Sequence, residues 1–135
     1  MLVNRSMPAG VVIPVLGYDD VAEAADWLRD TFGFTERWRA GSHRAQLAIG
    51  DSAVAITEGG ARGSNVMVRV DDVDAHYERA SERGAEALGP PADYPYGERQ
   101  YTAVDLGGHT WTFSQSIADV APEDWGGVRG PALTA

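Results

Sequence analysis

The sequence contains no cysteine, and its 20 acidic residues outnumber its 11 lysines and arginines. Without cysteine the chain can form neither a disulfide framework nor a thiolate metal site. The formal net charge of −9 argues against nucleic acid or an anionic membrane as a partner, because affinity for polyanions is built from clustered basic side chains. We therefore expect neither partner.

Long apolar runs are also missing. The first ten residues lack the uninterrupted apolar stretch of a signal peptide, and no segment approaches the roughly 20 apolar residues of a membrane span. These absences favour a soluble, cytoplasmic protein. With 135 residues and 44% apolar content, the chain suits one compact domain.

The sequence does contain an internal repeat. Residues 12–34 and 65–85 share one pattern, an apolar strand, an Asp-Asp-Val turn and an amphipathic helix that ends near glycine. The two Asp-Asp-Val turns lie 52 positions apart, and the same offset relates Ile13, at the start of the first strand, to Asn65. Each Asp pair directly precedes a helix, which favours helix N-capping over acid-base chemistry as its role.

Each half of the repeat is predicted to fold as a strand, a helix and three further strands. In chain order we predict strand 11–18, helix 21–32, strands 34–39, 43–49, 52–57 and 65–70, helix 73–83, an extended piece at 85–88, and strands 99–106 and 110–115. The chain then divides into an N-terminal arm (1–10), a first βαβββ module (11–58), a second module (65–115) and an irregular C-terminal arm (116–135).

Alternation within the predicted strands separates two faces of the sheets, since successive side chains point to opposite sides. In strand 65–70, valines alternate with Asn65, Met67 and Arg69. The valine side should carry the helices, and the other side, which we call the open face, stays free to bind a ligand. The same alternation assigns to the open face Gln46, Ala55, Tyr101, Thr112 and Ser114.

Two segments carry a family resemblance, VDDVDAHYER at 70–79 and DLGGHTWTF at 105–113. Together with the paired modules they resemble the vicinal oxygen chelate superfamily, which includes glyoxalases, extradiol dioxygenases and bleomycin-resistance proteins. The resemblance covers roughly residues 11–115. It implies an α+β fold in which two βαβββ modules form a curved mixed-sheet cup, with the helices on the convex face and the binding site in the hollow.

Metal-dependent members of that superfamily place His, Glu or Gln ligands at four positions of the hollow. The resemblance assigns these positions to Ile13, Ala55, Asn65 and Thr112. Divalent transition metals need carboxylate, imidazole or thiolate ligands, and none of the four side chains supplies one. The resemblance therefore points to the metal-free, drug-sequestering branch, with no catalytic residue, metal site or cofactor.

Two alternatives stay open. One is a lyase or dioxygenase with a displaced metal site, for example through His43, Glu58 or His109. The other is a biosynthetic accessory protein that carries an intermediate. For the histidines outside such a site, we expect His109 to cap the glycine turn at 107–108 and His76 to face solvent.

Aromatic side chains supply the expected ligand contacts. Trp38 lies between two arginines on a predicted strand and suits a pocket wall, and Tyr94 and Tyr96 lie in a loop that suits a lid. The full predicted ligand-binding set is Ile13, Trp38, Gln46, Ala55, Asn65, Met67, Tyr94, Tyr96, Tyr101, Thr112 and Ser114. We predict a protein that sequesters a small, partly aromatic molecule such as an antibiotic, and the resemblance implies a homodimer.

Overall fold

The computed structural model describes residues 2–133 and confirms the predicted α+β class. Within that range two helices and nine strands form, followed by a short 3₁₀ helix at Pro122–Trp125. Their bounds are β1 Val15–Tyr18, α1 Val21–Phe32, β2 Thr35–Ala40, β3 Arg44–Ile49, β4 Ser52–Glu58, β5 Asn65–Arg69, α2 Val73–Glu82, β6 Glu86–Ala87, β7 Ala92–Tyr94, β8 Glu98–Val104 and β9 Thr110–Ser116. None of the helices formed by these residues is long and apolar enough to cross a membrane.

The strands form two mixed sheets. The first has the order β1-β4-β3-β2, and the second has the order β5-β9-β8-β6 with β7 paired to β8. Each sheet contains one parallel pair, and the two pairs share a register: Val15 pairs with Ala55 in the first sheet, and Met67 pairs with Thr112 in the second. The internal repeat of the sequence thus corresponds to a repeat of sheet register.

Two strand predictions differ from the structure. The first strand begins at Val15 rather than Val11, because Pro14 has no N–H to give to a sheet, although its carbonyl still accepts from Ala55 N at 2.9 Å. The loop around Tyr94 contains an additional strand, β7, which pairs with β8 through a tight turn. Gly97 permits that turn with a φ of +84°, a left-handed conformation that favours glycine.

Both helices begin directly after the second aspartate of the repeated pair, which is their N-cap. The Asp20 carboxylate accepts a hydrogen bond from Glu23 N at 3.0 Å, and the Asp72 carboxylate accepts one from Ala75 N at 3.0 Å. Helix α1 ends at Gly33, which adopts the left-handed conformation with a φ of +80°. The capping roles predicted for the aspartate pairs are therefore confirmed for Asp20 and Asp72.

One aromatic core joins the two modules. Phe32, at the end of α1, packs its ring 4.8 Å from that of Phe113 and 5.9 Å from that of Trp111, measured between centroids. All three side chains are buried. The last turn of the first helix therefore packs against the helix face of the second sheet.

A buried polar junction also connects the modules. The Asp105 carboxylate accepts hydrogen bonds from the Tyr18 hydroxyl at 2.5 Å and from Trp111 Nε1 at 2.9 Å. Burial, together with this carboxylate, raises the pKa of Tyr18 far above its usual value, so that its hydroxyl stays protonated and donates.

His109 completes this junction rather than capping the glycine turn. Its Nε2 donates to the carbonyl of Gly17 at 2.8 Å, and its Nδ1 accepts from Ser64 N at 3.0 Å. The turn is capped instead by Asp105, whose Oδ1 accepts from Gly107 N at 2.9 Å and from His109 N at 3.0 Å.

His76 also departs from its prediction, since it does not face solvent. Its ring is partly buried 3.9 Å from the Phe113 ring, with Nδ1 2.5 Å from the Tyr101 hydroxyl and Nε2 3.1 Å from the carbonyl of Phe32. Burial lowers the pKa of His76, because desolvation disfavours the charged imidazolium. His76 therefore belongs to the packing between the two helices.

Candidate functional site

The open face of the first sheet carries a row of predicted site residues. Trp38 pairs with Gln46 across β2 and β3, Gln46 pairs with Ala55 across β3 and β4, and Ala55 pairs with Val15 on β1. The N-terminal segment covers one end of this row. The carbonyl of Ser6 accepts hydrogen bonds from both Trp38 Nε1 and Gln46 Nε2.

The open face of the second sheet carries a groove with a polar floor. The hydroxyls of Thr102 and Thr112 face each other at 2.8 Å across β8 and β9. The groove has a volume of about 330 Å³ and is lined by Met67, Leu88, Gly89, Pro90, Tyr94, Gln100, Tyr101, Thr102 and Thr112. The lining therefore combines apolar and aromatic surface with a few hydroxyl and amide groups, which is typical of small-molecule sites.

A stacked tyrosine pair stands at the mouth of the groove. The rings of Tyr94 and Tyr96 lie 5.5 Å apart with an interplanar angle of 11°. The ring of Trp125, from the C-terminal arm, meets Tyr96 edge-on at 5.5 Å. Tyr94 is 43% exposed, so this pair offers an aromatic surface to solvent.

A chain of hydrogen bonds fixes the orientation of Tyr96. Its hydroxyl donates to Gln100 Oε1 at 3.0 Å, and Gln100 Nε2 donates to Ser114 Oγ at 2.9 Å. Ser114 Oγ in turn donates to Glu98 Oε1 at 2.7 Å, and its hydrogen bond, with one from Ser116, lowers the pKa of Glu98. The floor of the second sheet thus orients Tyr96, on which Tyr94 stacks.

A second space lies between the modules. This intermodule cleft has a volume of about 720 Å³ and is lined by Val12, Pro14, the β3–β4 hairpin from Ile49 to Val54, and residues 66–71. It is larger than the groove but carries no aromatic side chain in its lining. Met67 lines both spaces and is 65% exposed, so the cleft and the groove meet at its side chain.

The structure brings together most of the predicted residues of the second module. Asn65, Met67, Thr112 and Ser114 share its open face, and Tyr94 and Tyr96 lie at the groove. The predicted residues of the first module, Trp38, Gln46 and Ala55, lie on the other sheet, and Ile13 precedes β1 between two residues of the cleft.

Tyr101 borders the groove, but its ring points to the other side of the sheet. It pairs with Phe113, packs its ring 5.3 Å from that ring, and is 3% exposed on the helix face. The predicted alternation of β8 was therefore wrong by one residue, and Gln100 and Thr102 occupy the open face. An aromatic and an alanine at 101 and 103, alternating with these two polar residues, were the signal in the sequence for this correct assignment.

The residues at the family's metal positions do not fit a transition metal. Ile13 and Ala55 have no donor atom in their side chains, the Thr112 hydroxyl is bonded to Thr102, and the Asn65 side-chain oxygen accepts from the Thr110 hydroxyl. Across residues 2–133, no three His, Asp or Glu side chains gather closely enough to hold a metal ion.

The alternative metal ligands, His43, Glu58 and His109, are not arranged around a common point. His43 Nδ1 lies 2.8 Å from Glu58 Oε2 at an exposed position. His109 is buried, with both ring nitrogens engaged by the backbone of Gly17 and Ser64. These three residues do not form a shared site.

Comparisons with known proteins agree with this architecture. Residues 10–113 match the family model described as Glyoxalase/Bleomycin resistance protein/Dioxygenase superfamily. A comparison with the curated proteins found no significant match.

Solved structures give three informative relatives. TioX from Micromonospora sp. ML1 is 33% identical, with a TM-score of 0.73 over 81% of this chain and 100% of that one. A bleomycin-binding protein from bleomycin-producing Streptomyces verticillus, solved with copper(II)-bleomycin, is 23% identical, with a TM-score of 0.63 over 76% and 92%. A lactoylglutathione lyase from Agrobacterium tumefaciens is 16% identical, with a TM-score of 0.69 over 82% and 96%. The last two share the fold, and the family model together with TioX places this chain among the glyoxalase, bleomycin resistance and dioxygenase proteins, the superfamily to which it belongs.

Proposed function

We propose that this protein binds and sequesters a small, partly aromatic molecule, such as an antibiotic, without changing it covalently. The observation that carries the proposal is the stacked pair Tyr94 and Tyr96 beside the groove, in which the hydrogen bonds of Gln100, Ser114 and Glu98 orient Tyr96. A rigid aromatic surface beside a small polar floor binds a flat ligand at low cost in side-chain entropy.

The ligand would be held by three kinds of contact. A flat ring stacks on the exposed side of Tyr94, and apolar atoms contact Met67 and Leu88, which are 65% and 63% exposed. The hydroxyls of Thr102 and Thr112 orient a polar group of the ligand. The bleomycin-binding neighbour shows that this fold accommodates an antibiotic.

In this proposal the two modules, 11–58 and 65–115, work as a single domain flanked by the two arms. A second copy of the chain covers the open faces and completes the binding site. The exposed apolar side chains Val15 and Met67 support this assembly, since a second copy over the open faces would remove them from water.

Calorimetric titration with metal-free bleomycin and a panel of planar aromatic antibiotics tests the proposal. We expect at least one member to bind, Tyr94→Ala to weaken that binding about tenfold through loss of stacking and burial, and Tyr94→Phe to retain it. The Phe variant is the matched control, since it keeps the ring and loses only the hydroxyl. If no member of the panel binds, or if Tyr94→Ala binds as tightly as the wild type, the proposal is wrong.

A further inference from the structure

The N-terminal segment is bound to the first sheet through its own peptide carbonyls. Trp38 Nε1 donates to the carbonyl of Ser6 at 3.1 Å, and Gln46 Nε2 donates to the same oxygen at 3.0 Å. Two side chains on neighbouring strands therefore converge on one backbone acceptor.

Arg37 extends this contact along the segment. Its guanidinium donates to the carbonyls of Arg5 at 3.2 Å and Met7 at 3.5 Å, and it also donates to Gln46 Oε1. The register of β2 shifts between Glu36 and Trp38, and this bulge lets the adjacent residues 37 and 38 both reach the segment. Side chains of β2 and β3 thus contact three consecutive carbonyls.

The buried side chain of Gln46 requires a hydrogen-bond acceptor on this face. Its side chain is 3% exposed, and both ends of its amide are engaged, the oxygen by Arg37 and the nitrogen by Ser6. A buried amide donor that loses its acceptor carries the full cost of desolvation. A ligand that replaces the segment and excludes water from Gln46 must therefore offer an acceptor of the same kind.

The segment itself is held by little else. Asn4 folds it into a turn, with its carbonyl accepting from Met7 N at 3.0 Å and its side chain accepting from Ser6 N at 3.0 Å. The apolar residues before the turn, Leu2 and Val3, are 91% and 87% exposed. The contact is thus mainly a small set of hydrogen bonds, which a competing ligand can replace one for one.

We propose that this face of the first sheet recognises the amide carbonyls of a peptide-like ligand, and that residues 5–7 occupy it until such a ligand displaces them. This inference rests on the proposed function in one respect: it takes the sequestered ligand to be the molecule that carries the peptide bonds. A tethered competitor lowers the apparent affinity by the fraction of time during which the site is covered.

The test uses a synthetic peptide with the sequence of residues 2–10, LVNRSMPAG, and a variant that lacks residues 2–8. We expect the peptide to bind the shortened chain at least about tenfold more tightly than the full chain, measured by calorimetric titration. Gln46→Leu in the shortened chain should abolish this binding. A peptide in which a methylene replaces the Ser6 carbonyl is the matched control and should not bind.

A second measurement covers the case in which the shortened chain does not fold. In the full chain, Asn4→Ala removes the side-chain acceptor of the turn and should raise the affinity for the peptide above that of the wild type. Equal binding of the carbonyl and methylene peptides, or undiminished binding after Gln46→Leu, would overturn the proposal.

The peptide experiment and the antibiotic titration can fail separately. The peptide reports on Trp38 and Gln46, whereas Tyr94→Ala reports on the groove of the second sheet. Loss of residues 2–8 can also be tested on any ligand that binds in that titration. The affinity for bleomycin, which contains amide bonds, should rise about tenfold. The affinity for an anthracycline, which contains none, should stay unchanged. The opposite preference would contradict the assignment of a peptide-like ligand.

Discussion

His76 makes the stability of the fold depend on pH. Its pKa lies below the usual 6.5 because the ring is desolvated, and the neutral ring accepts from the Tyr101 hydroxyl while it donates to the carbonyl of Phe32. The unfolded chain therefore binds a proton more readily than the folded one. The stabilisation is complete above pH 6.5 and is lost as the pH falls from 6.5 through the lowered pKa of the folded state.

We expect His76→Gln to flatten this dependence. Urea unfolding at several pH values between 7.5 and 5 should show a free energy of unfolding that falls with pH in the wild type, by at most about 1.4 kcal/mol per pH unit for one proton. The variant should fall less over the same window. A wild-type curve that is flat from pH 7.5 to 5 would contradict this assignment.

Asp105 is surrounded by donors alone. Its two oxygens accept from the Tyr18 hydroxyl, Trp111 Nε1, Gly107 N and His109 N. An asparagine keeps the shape but turns an NH₂ group toward two of these donors, leaving buried polar atoms without partners.

We therefore expect Asp105→Asn to lower the free energy of unfolding by about 3 kcal/mol, measured by denaturant titration. Tyr18→Phe removes only one of the four donors and should cost less, about 1.5 kcal/mol. If the two variants were equally stable, the carboxylate would not be the centre of the junction.

At the scale of single elements, the strand β1 depends on one glycine. A Cβ on Gly17 would lie 2.2 Å from the carbonyl oxygen of Gly60 and 2.3 Å from its carbon, which are backbone atoms that cannot move independently. Gly17 N also donates to the carbonyl of Ala61 at 2.7 Å. The close approach of the two backbones therefore requires the absence of a side chain at position 17.

Gly17→Ala should cost more than about 3 kcal/mol of stability, or prevent folding, because one of the two segments has to move. Gly10→Ala is the control, since its Cβ would meet nothing closer than the carbonyl of Val12 at 3.7 Å. Thermal unfolding followed by circular dichroism compares the two. A Gly17→Ala protein as stable as the Gly10→Ala protein would show that the loop at Gly60 can move without loss of stability.

The helices and strands show how much of the fold could be predicted from the sequence. The repeat identified both helices and their aspartate caps, because the capping residues and the apolar stripe lie within one local segment. The alternation of β8 was misassigned because its face is decided by pairing with β9, where Tyr101 meets Phe113 across the sheet. The local sequence pattern was thus enough to predict the helices, whereas the side-chain orientation of β8 depends on its pairing with a distant strand.

At the scale of the whole molecule, the candidate site was predictable only in part. Tyr94, Thr112 and Met67, which line the groove, were among the residues predicted from the sequence, because turn residues and strand alternation are local signals. The docking of Ser6 on Trp38 and Gln46 was not predicted, because it joins residues 32 and 40 positions apart through backbone atoms that carry no sequence signal. Contacts made by side chains to remote carbonyls leave no pattern in the chain.

The open faces of the two sheets also predict the assembly of the molecule in solution. Val15, Met67 and Leu88 are each more than half exposed. Apolar side chains gathered on a ligand-binding face are typical of surfaces that a partner covers. A second copy of the chain is the partner that we proposed above.

We expect sedimentation equilibrium to give a mass twice that of one chain. Met67→Glu should shift the equilibrium toward the monomer, since a charge at the centre of an apolar contact loses its hydration on association. Ser81→Glu is the matched control: this serine is exposed on α2, on the helix side of the second sheet, and its replacement should leave the mass unchanged. A wild-type protein that sediments as a single chain would refute the dimer. Equal masses for the two variants would instead place the subunit contact away from Met67, and the groove of the second sheet would then have to bind its ligand within one chain.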